Sequence, residues 1–271
     1  MYEAYYGLRE KPFSLTPDTG FYFDSDSHSA ALETLLVSIR EGDGFIKVIG
    51  EVGTGKTLLC RTLLQRLDDA TFETLYIPNP HMSRAALLQA VAEELGLKPS
   101  DERAVIGTIN RRLLELAREG RRCLLLLDEA QSLPLESLEA IRLLSNLETE
   151  KYKLIQLVLF GQPELDARLA EHGIRQLRQR IVHACRIGRL DAQSLPAYVE
   201  HRLHCAGYRG PRLFPPEVLR ELQRLSGGVP RLVNLLCHKA LLLAYGASSF
   251  RVTRRQLLQA AADCEQVGVA A

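Results

Sequence analysis

An α/β fold built on a parallel sheet, followed by a small all-helical domain, is what this 271-residue sequence predicts. Three observations lead there. Short apolar runs alternate with amphipathic helical stretches, the pattern of a parallel sheet with helical crossovers. The octapeptide Gly50-Glu51-Val52-Gly53-Thr54-Gly55-Lys56-Thr57 stands between the apolar run FIKVI and the leucine-rich LLCRTLLQRL, the strand–loop–helix context of a phosphate-binding loop. From about Asp191 only helical patterns remain. The expected domains are residues 1–190, a P-loop core with an aromatic N-terminal arm, and residues 191–271, a helical lid domain.

The arm holds Tyr2, Tyr5, Tyr6, Phe13, Phe21, Tyr22 and Phe23. Prolines at 12 and 17 and glycines at 7 and 20 predict an irregular, non-helical course. Its rings must pack on the core, on an adenine or on a neighbouring subunit, the core being the first expectation. SDSHSAALETLLVSIRE opens with capping residues and carries leucines at helical spacing, so it reads as a helix leading into FIKVI. After the P-loop helix, FETLYI alternates and is β-rich. RAALLQAVAEELGL follows a capping serine and ends at Gly96. Pro99, Ser100 and Asp101 are expected to start a further helix that runs through Arg118.

CLLLLDEA is apolar at every position before its two carboxylates, as a strand buried on both faces would be. A helix from about Pro134 to Leu147 comes next, then KLIQLVLFG, stopped by Gly161-Gln162-Pro163. In the last part SLPAYVEHRLHCAG, PPEVLRELQRLSGG, VPRLVNLLCHKALLLAYG and TRRQLLQAAADCEQ are four helices bounded by Gly, Pro, Ser or Thr.

Bulk composition excludes several classes. With 34 Lys+Arg against 33 Asp+Glu, no global field draws the chain to nucleic acid or an anionic membrane. The first residues lack the basic start and apolar stretch of a signal peptide, and no apolar run approaches a membrane span. A cytoplasmic protein is expected. The six cysteines lie far apart, which suits reduced, mostly buried thiols. His201, His204 and Cys205, and Cys237 with His238, lack a second ligand pair, so zinc is not expected.

The chemistry starts with the P-loop. Glycines allow successive N–H groups of Gly50–Leu58 to turn inward around phosphate oxygens at the positive end of the following helix. Lys56 would reach the β- and γ-phosphates, and the Thr57 hydroxyl would hold Mg²⁺. Asp128, ending a buried strand, would bind Mg²⁺ directly or through water, and Glu129 would polarise a water for attack on the γ-phosphate. Gln162, after the next strand, would bond that water or the γ-phosphate, or else cap the Pro163 helix. Ligands of such sheets bind outside the carboxyl ends of the strands, where all of these fall.

Arg175, Arg178, Arg180, Arg186 and Arg189 occur in a stretch without one acid. A solvated basic face is one reading; a cation supplied to a neighbouring chain's phosphates is the other, with Arg180 first and Arg178 second. Arg231, in GGVPRLVN, opens a helix and would fold back over the nucleotide.

MYEAYYGLREKPFSLTPDTGFYFDSDSH, GEVGTGKTLLCRTLL, LLLLDEAQSL, IRLLSNLET, VLFGQPEL, LRQRI and GGVPRLVN, in that order, resemble the ExeA-like AAA+ ATPases of the type II secretion and MSHA-pilus biogenesis group. The resemblance covers nearly the whole chain. It implies an AAA+ fold with a helical lid, ATP and Mg²⁺ as ligands, Lys56 and Thr57 in Walker A, and Asp128 and Glu129 in Walker B. By the same match Gln162 is similar to sensor 1, Arg180 to the arginine finger and Arg231 to sensor 2. It further implies a nucleotide-dependent homo-oligomer, a pilus or secretion protein as partner, and a place in the cytoplasm or at the inner membrane through that partner. Some members continue into a membrane span and a peptidoglycan-binding region; the short, pilus-type members are the closer match.

Two other readings compete. A DNA-binding regulator of transposition or replication would use Arg118, Arg121 and Arg122 or Arg251, Arg254 and Arg255 on phosphates. A nucleotide-gated scaffold would bind ATP with negligible turnover.

Overall fold

The computed structural model describes residues 2–98, 104–150, 152–171 and 174–266. The expected helix start at Pro99, Ser100 and Asp101 lies outside them. The chain forms two compact units: Asp26–Val52 with Leu59–Ile187, and Met1–Ser25 with Gly53–Leu58 and Gly188–Ala271.

The first unit is α/β. Its five strands, β1 (Phe45–Ile49), β2 (Phe72–Ile77), β3 (Arg122–Leu127), β4 (Ile155–Gly161) and β5 (His183–Arg186), form one sheet in the order β2-β3-β4-β1-β5. Every pairing is parallel. β4 is buried at every position and β3 at every position after Arg122, as helices on both faces require. The two faces alternate along the strands: Phe45, Leu125, Leu127, Leu157 and Leu159 enter one apolar cluster, while Ile46, Leu124, Leu126 and Val158 are buried outside it. Gln156, polar but only 3% exposed, gives its Nε2 to the carbonyls of Ile39 (3.2 Å) and Asp43 (2.9 Å).

The helices of this unit are α2 (Asp26–Glu41), α3 (Lys56–Arg66, of which Leu59 onward belongs here), α4 (Arg84–Glu94), α5 (Val105–Arg118), α6 (Leu135–Leu144), α7 (Glu164–Leu169) and α8 (Arg175–Arg178). Local signals mark their ends. The Ser83 hydroxyl accepts from Ala86 N at 3.3 Å to cap α4, and Gly96 follows it with φ +72°, a left-handed conformation that glycine enters without strain.

The second unit is helical: α1 (Tyr2–Tyr6), α9 (Ser194–Cys205), α10 (Pro216–Ser226), α11 (Pro230–Gly246) and α12 (Arg254–Gln266). One sequence expectation changes here. The arm is not wholly irregular, because Tyr2–Tyr6 forms a helical turn and Thr19–Phe21 a 3-10 turn capped by Asp18. Its rings pack on a core, the first of the expected alternatives: Tyr2, Tyr6, Phe13 and Phe21 are buried in one cluster with Leu203, Phe214, Cys237 and Leu241. The cause is long-range packing, which local turn signals do not report. Among the described residues no helix is long and apolar enough to cross a membrane.

Candidate nucleotide site

Three strands end close together at their carboxyl ends, with Leu127 of β3 opposite Leu159 of β4, and Ile49 of β1 opposite Gly161. The chain leaving β1 turns there, and Gly50 N donates to Gly161 O at 3.1 Å. Gly50 is buried, and Glu51 and Val52 are exposed.

Asp128 follows β3 and is only 2% exposed; its Oδ1 accepts from the Glu129 amide at 2.9 Å. Its charge reaches two neighbours. Burial first, then the Asp128 carboxylate, pushes the Cys60 thiol well above its ordinary range. Burial, then Cys60 and Asp128, pushes the Tyr76 phenol up to about 12. All six cysteines are free thiols, and only Cys205 is not buried.

Glu129 has φ 52° and ψ 37°, the left-handed region that costs a non-glycine residue about 1–3 kcal/mol and gathers at functional sites. Its Oε2 accepts from Gln162 Nε2 at 3.1 Å, so the Gln162 amide meets this carboxylate and does not cap α7. Gln131 is the residue that sequence reasoning missed, although it stands in the quoted LLLLDEAQSL. Its Nε2 donates to the same Glu129 oxygen at 2.5 Å, and its Oε1 accepts from Gln162 N at 3.0 Å. Its position two residues after an acid was the available signal; which way its amide points was not legible.

The other half of the P-loop lies in the helical unit. Gly53 and Gly55 have φ +77° and +102°, while Thr54 and Lys56 are buried. Thr57 and Leu58 continue into α3 and are both half-buried. At Gly53 a Cβ would stand 2.8 Å from Arg231 Cβ and 3.1 Å from Val229 Cγ1. Arg231 N donates to Gly53 O at 3.2 Å. The first turn of α11 thus rests on the loop through its backbone, while the Arg231 side chain is exposed.

Arg180 has partners inside its own subunit: its Nη1 donates to Ser145 O at 2.9 Å and Ser145 Oγ at 3.3 Å. The carbonyl at the end of α6 is an acceptor that helix geometry leaves open, and the guanidinium takes it. Arg178, on α8, is exposed and makes no ion pair among the described residues. Four of the arginines considered for nucleic acid have partners within the chain: Arg121 with Glu73 at 2.7 Å, Arg251 with Glu217 at 3.1 Å, Arg254 with Glu221 at 3.2 Å, and Arg122 with the carbonyl of Arg40 at 2.5 Å. Arg118 and Arg255 are exposed.

The chemistry of these groups suits a magnesium nucleotide. Left-handed glycines turn N–H groups inward for phosphate, and a hydroxyl with a carboxylate supplies the hard oxygen ligands that Mg²⁺ takes. A carboxylate gripped by amides can orient water.

The chain is similar to known proteins in sequence and in fold. Residues 39–169 match the family described as an AAA domain. Over 264 residues, 96% of the chain, the sequence is 42% identical to the General secretion pathway protein A of Aeromonas hydrophila, and it spans 48% of that relative's length. Among solved structures, Cdc6p from Pyrobaculum aerophilum is similar with a TM-score of 0.73 at 18% identity, over 92% of this chain and 69% of that one. The Aeropyrum pernix ORC1 protein in complex with DNA gives 0.71 at 20% identity, over 95% and 70%. At these identities the likeness to both structures is one of fold alone.

Proposed function

We propose that the chain is an AAA+ ATPase of the ExeA-like group that works as a Mg²⁺-dependent homo-oligomer. Hydrolysis would be coupled to the assembly or regulation of a secretion system or of the related MSHA-like pilus. The Glu129 carboxylate, gripped on one oxygen by Gln162 and turned by a left-handed backbone, carries the hydrolytic part of this reading. The link to secretion rests on the relative whose name places it in the general secretion pathway.

The residues take these roles. Backbone N–H groups of Gly50, Glu51, Val52, Gly53, Thr54, Gly55, Lys56, Thr57 and Leu58 cradle the phosphates, and the Lys56 ammonium neutralises the β- and γ-oxygens. Thr57 and Asp128 hold Mg²⁺, which supplies charge neutralisation when bound. Glu129 orients and deprotonates water, and Gln162 fixes that carboxylate. Arg231 reports the nucleotide to the helical unit, because the turn that carries it lies against Gly53.

For the arginine supplied in trans, Arg178 moves ahead of Arg180. An exposed guanidinium outside any ion pair can reach a neighbouring chain, whereas Arg180 must first leave Ser145. The partner is a protein of the secretion or pilus machinery, which would hold the ATPase at the cytoplasmic side of the inner membrane.

Phosphate release by the full chain tests the reading. Turnover should vanish with EDTA, rise per subunit with protein concentration, and fall in Glu129→Gln while nucleotide binding is retained. Specific activity that stays flat with concentration and survives both Arg178→Ala and Arg180→Ala removes the trans arginine. Phosphate release no faster than in Glu129→Gln would favour the nucleotide-gated scaffold.

A further inference from the structure

Gln131 belongs to none of the motifs assigned to catalysis, yet both ends of its amide are engaged at the hydrolytic carboxylate. Its Nε2 donates to Glu129 Oε2 at 2.5 Å, and Gln162 Nε2 donates to that same oxygen at 3.1 Å. No hydrogen bond reaches Glu129 Oε1 among the described residues. We propose that Gln131 is a positioning residue: with Gln162 it holds Glu129 by Oε2 and so presents Oε1 as the oxygen that takes the proton from the attacking water. This rests on the reading of Glu129 as the base for hydrolysis.

The orientation of the Gln131 amide follows from its partners. Its Oε1 accepts from the Gln162 backbone N–H at 3.0 Å. A flipped amide would put oxygen against a carboxylate and NH₂ against N–H, two contacts between groups of the same kind. The residue is also held through its main chain, since Arg168 of α7 donates Nη1 to Gln131 O at 2.5 Å. Gly161 leaves room for the amide: a Cβ there would stand 3.3 Å from Gln131 Oε1 and 2.7 Å from Leu165 Cδ2. The end of β4, the turn into α7 and the 3-10 turn Ala130–Ser132 are thereby tied to one carboxylate oxygen.

The step balances simply. A water O–H bond breaks as its oxygen bonds the γ-phosphorus, the proton goes to Glu129 Oε1, and the bond to the β-bridging oxygen breaks with its electron pair leaving on ADP. A carboxylate's terminal torsion is otherwise broad. Without the two amides the oxygens exchange places, and the fraction of time in which one faces the water falls. Amide bonds to an ionised acceptor are among the stronger hydrogen bonds, so the hold is firm enough to fix the plane.

Gln131→Glu separates positioning from general support. It keeps an oxygen that accepts the Gln162 N–H, but sets a like charge against Glu129 where a donor stood. Gln131→Ala removes both bonds. In the full chain with ATP, both variants should lose about tenfold or more in single-turnover rate and kcat, a portion of what general-base catalysis contributes. KM and the nucleotide dissociation constant should stay within about twofold, the pattern of an interaction made only in the transition state. Gln162→Ala combined with Gln131→Ala should cost less than the product of the single losses, because the two amides serve one oxygen.

Wild-type kcat in Gln131→Glu overturns the proposal. So does a loss in both variants that nucleotide affinity and thermal midpoint follow in proportion, which assigns Gln131 to support of the fold. Turnover that survives Glu129→Gln overturns the base reading itself, and it does so independently of position 131.

Discussion

The two units bury their apolar surface in different ways. In the α/β unit, the main cluster consists of aliphatic side chains from all but the last strand and from α4 to α8, with Phe45 as the one ring among its buried residues. The helical unit draws instead on a distant segment, setting Tyr2, Tyr6, Phe13 and Phe21 among the leucines of α9–α11. Polar groups thread that second core. Arg202, only 4% exposed, donates Nε to Pro12 O at 2.5 Å and Nη2 to Ser14 O at 3.3 Å, and its guanidinium lies 4.7 Å over the Phe21 ring. Tyr198, pushed up by burial, donates to Asn234 Oδ1 at 2.9 Å.

The difference teaches that an aliphatic core is specified by pattern, and a mixed core by partners. Leucines and valines need only be apolar and of suitable volume. The carbonyls of Pro12 and Ser14 each need one donor in one place, and Arg202 carries both, so it sets where the arm docks. A buried polar group left unpaired costs more than an absent one.

The sharpest way to break this comparison is to delete a ring. Phe13→Ala should lose about 4 kcal/mol, the range for buried phenylalanines. Leu125→Ala in the sheet should lose about 3 kcal/mol. Urea unfolding followed by tyrosine fluorescence reads both, since the chain has no tryptophan. A loss below about 1 kcal/mol in Phe13→Ala, the size of an ordinary surface substitution, would make the arm an ornament and dissolve the contrast.

Arg202→Met comes next: it keeps the apolar stem and removes the donors. It should cost about 2–3 kcal/mol through the stranded carbonyls, read from the same urea curves. A neutral outcome would show that water replaces the guanidinium and that packing alone seats the arm.

Tyr2→Phe removes only the hydroxyl that shares a 3.0 Å hydrogen bond with His238 Nδ1. The expected loss is about 1 kcal/mol, visible as a small fall in thermal midpoint. Glu93→Ala, on the exposed surface of α4, serves as its scale.

The smallest effect is one of pH. Burial lowers the pKa of His201 and His238 below the ordinary 6.5. Both rings are then neutral in the folded state where the unfolded chain already binds protons. Their contribution is intact above about 6.5 and is lost as pH falls from there toward the lowered values. Midpoints measured between pH 7.5 and 5 should drop, and His238→Gln should flatten part of that slope; an unchanged slope removes His238 as a cause.

Much of this protein could be read in one dimension. The buried strands, the P-loop with its following helix, the carboxylates after β3, and the four C-terminal helices each announce themselves within about ten residues, because strand and helix periods and glycine conformations are local physics. What only the tertiary structure decided involves residues far apart in the chain. Glu129 meets Gln162 through the pairing of β3 with β4, and that pairing brings Gln131 into the same grip. Arg180 finds Ser145, and Pro12 finds Arg202. In each case a donor selects an acceptor that lies beyond the reach of any local pattern, and the energy that selects it exists only once both have been taken out of water.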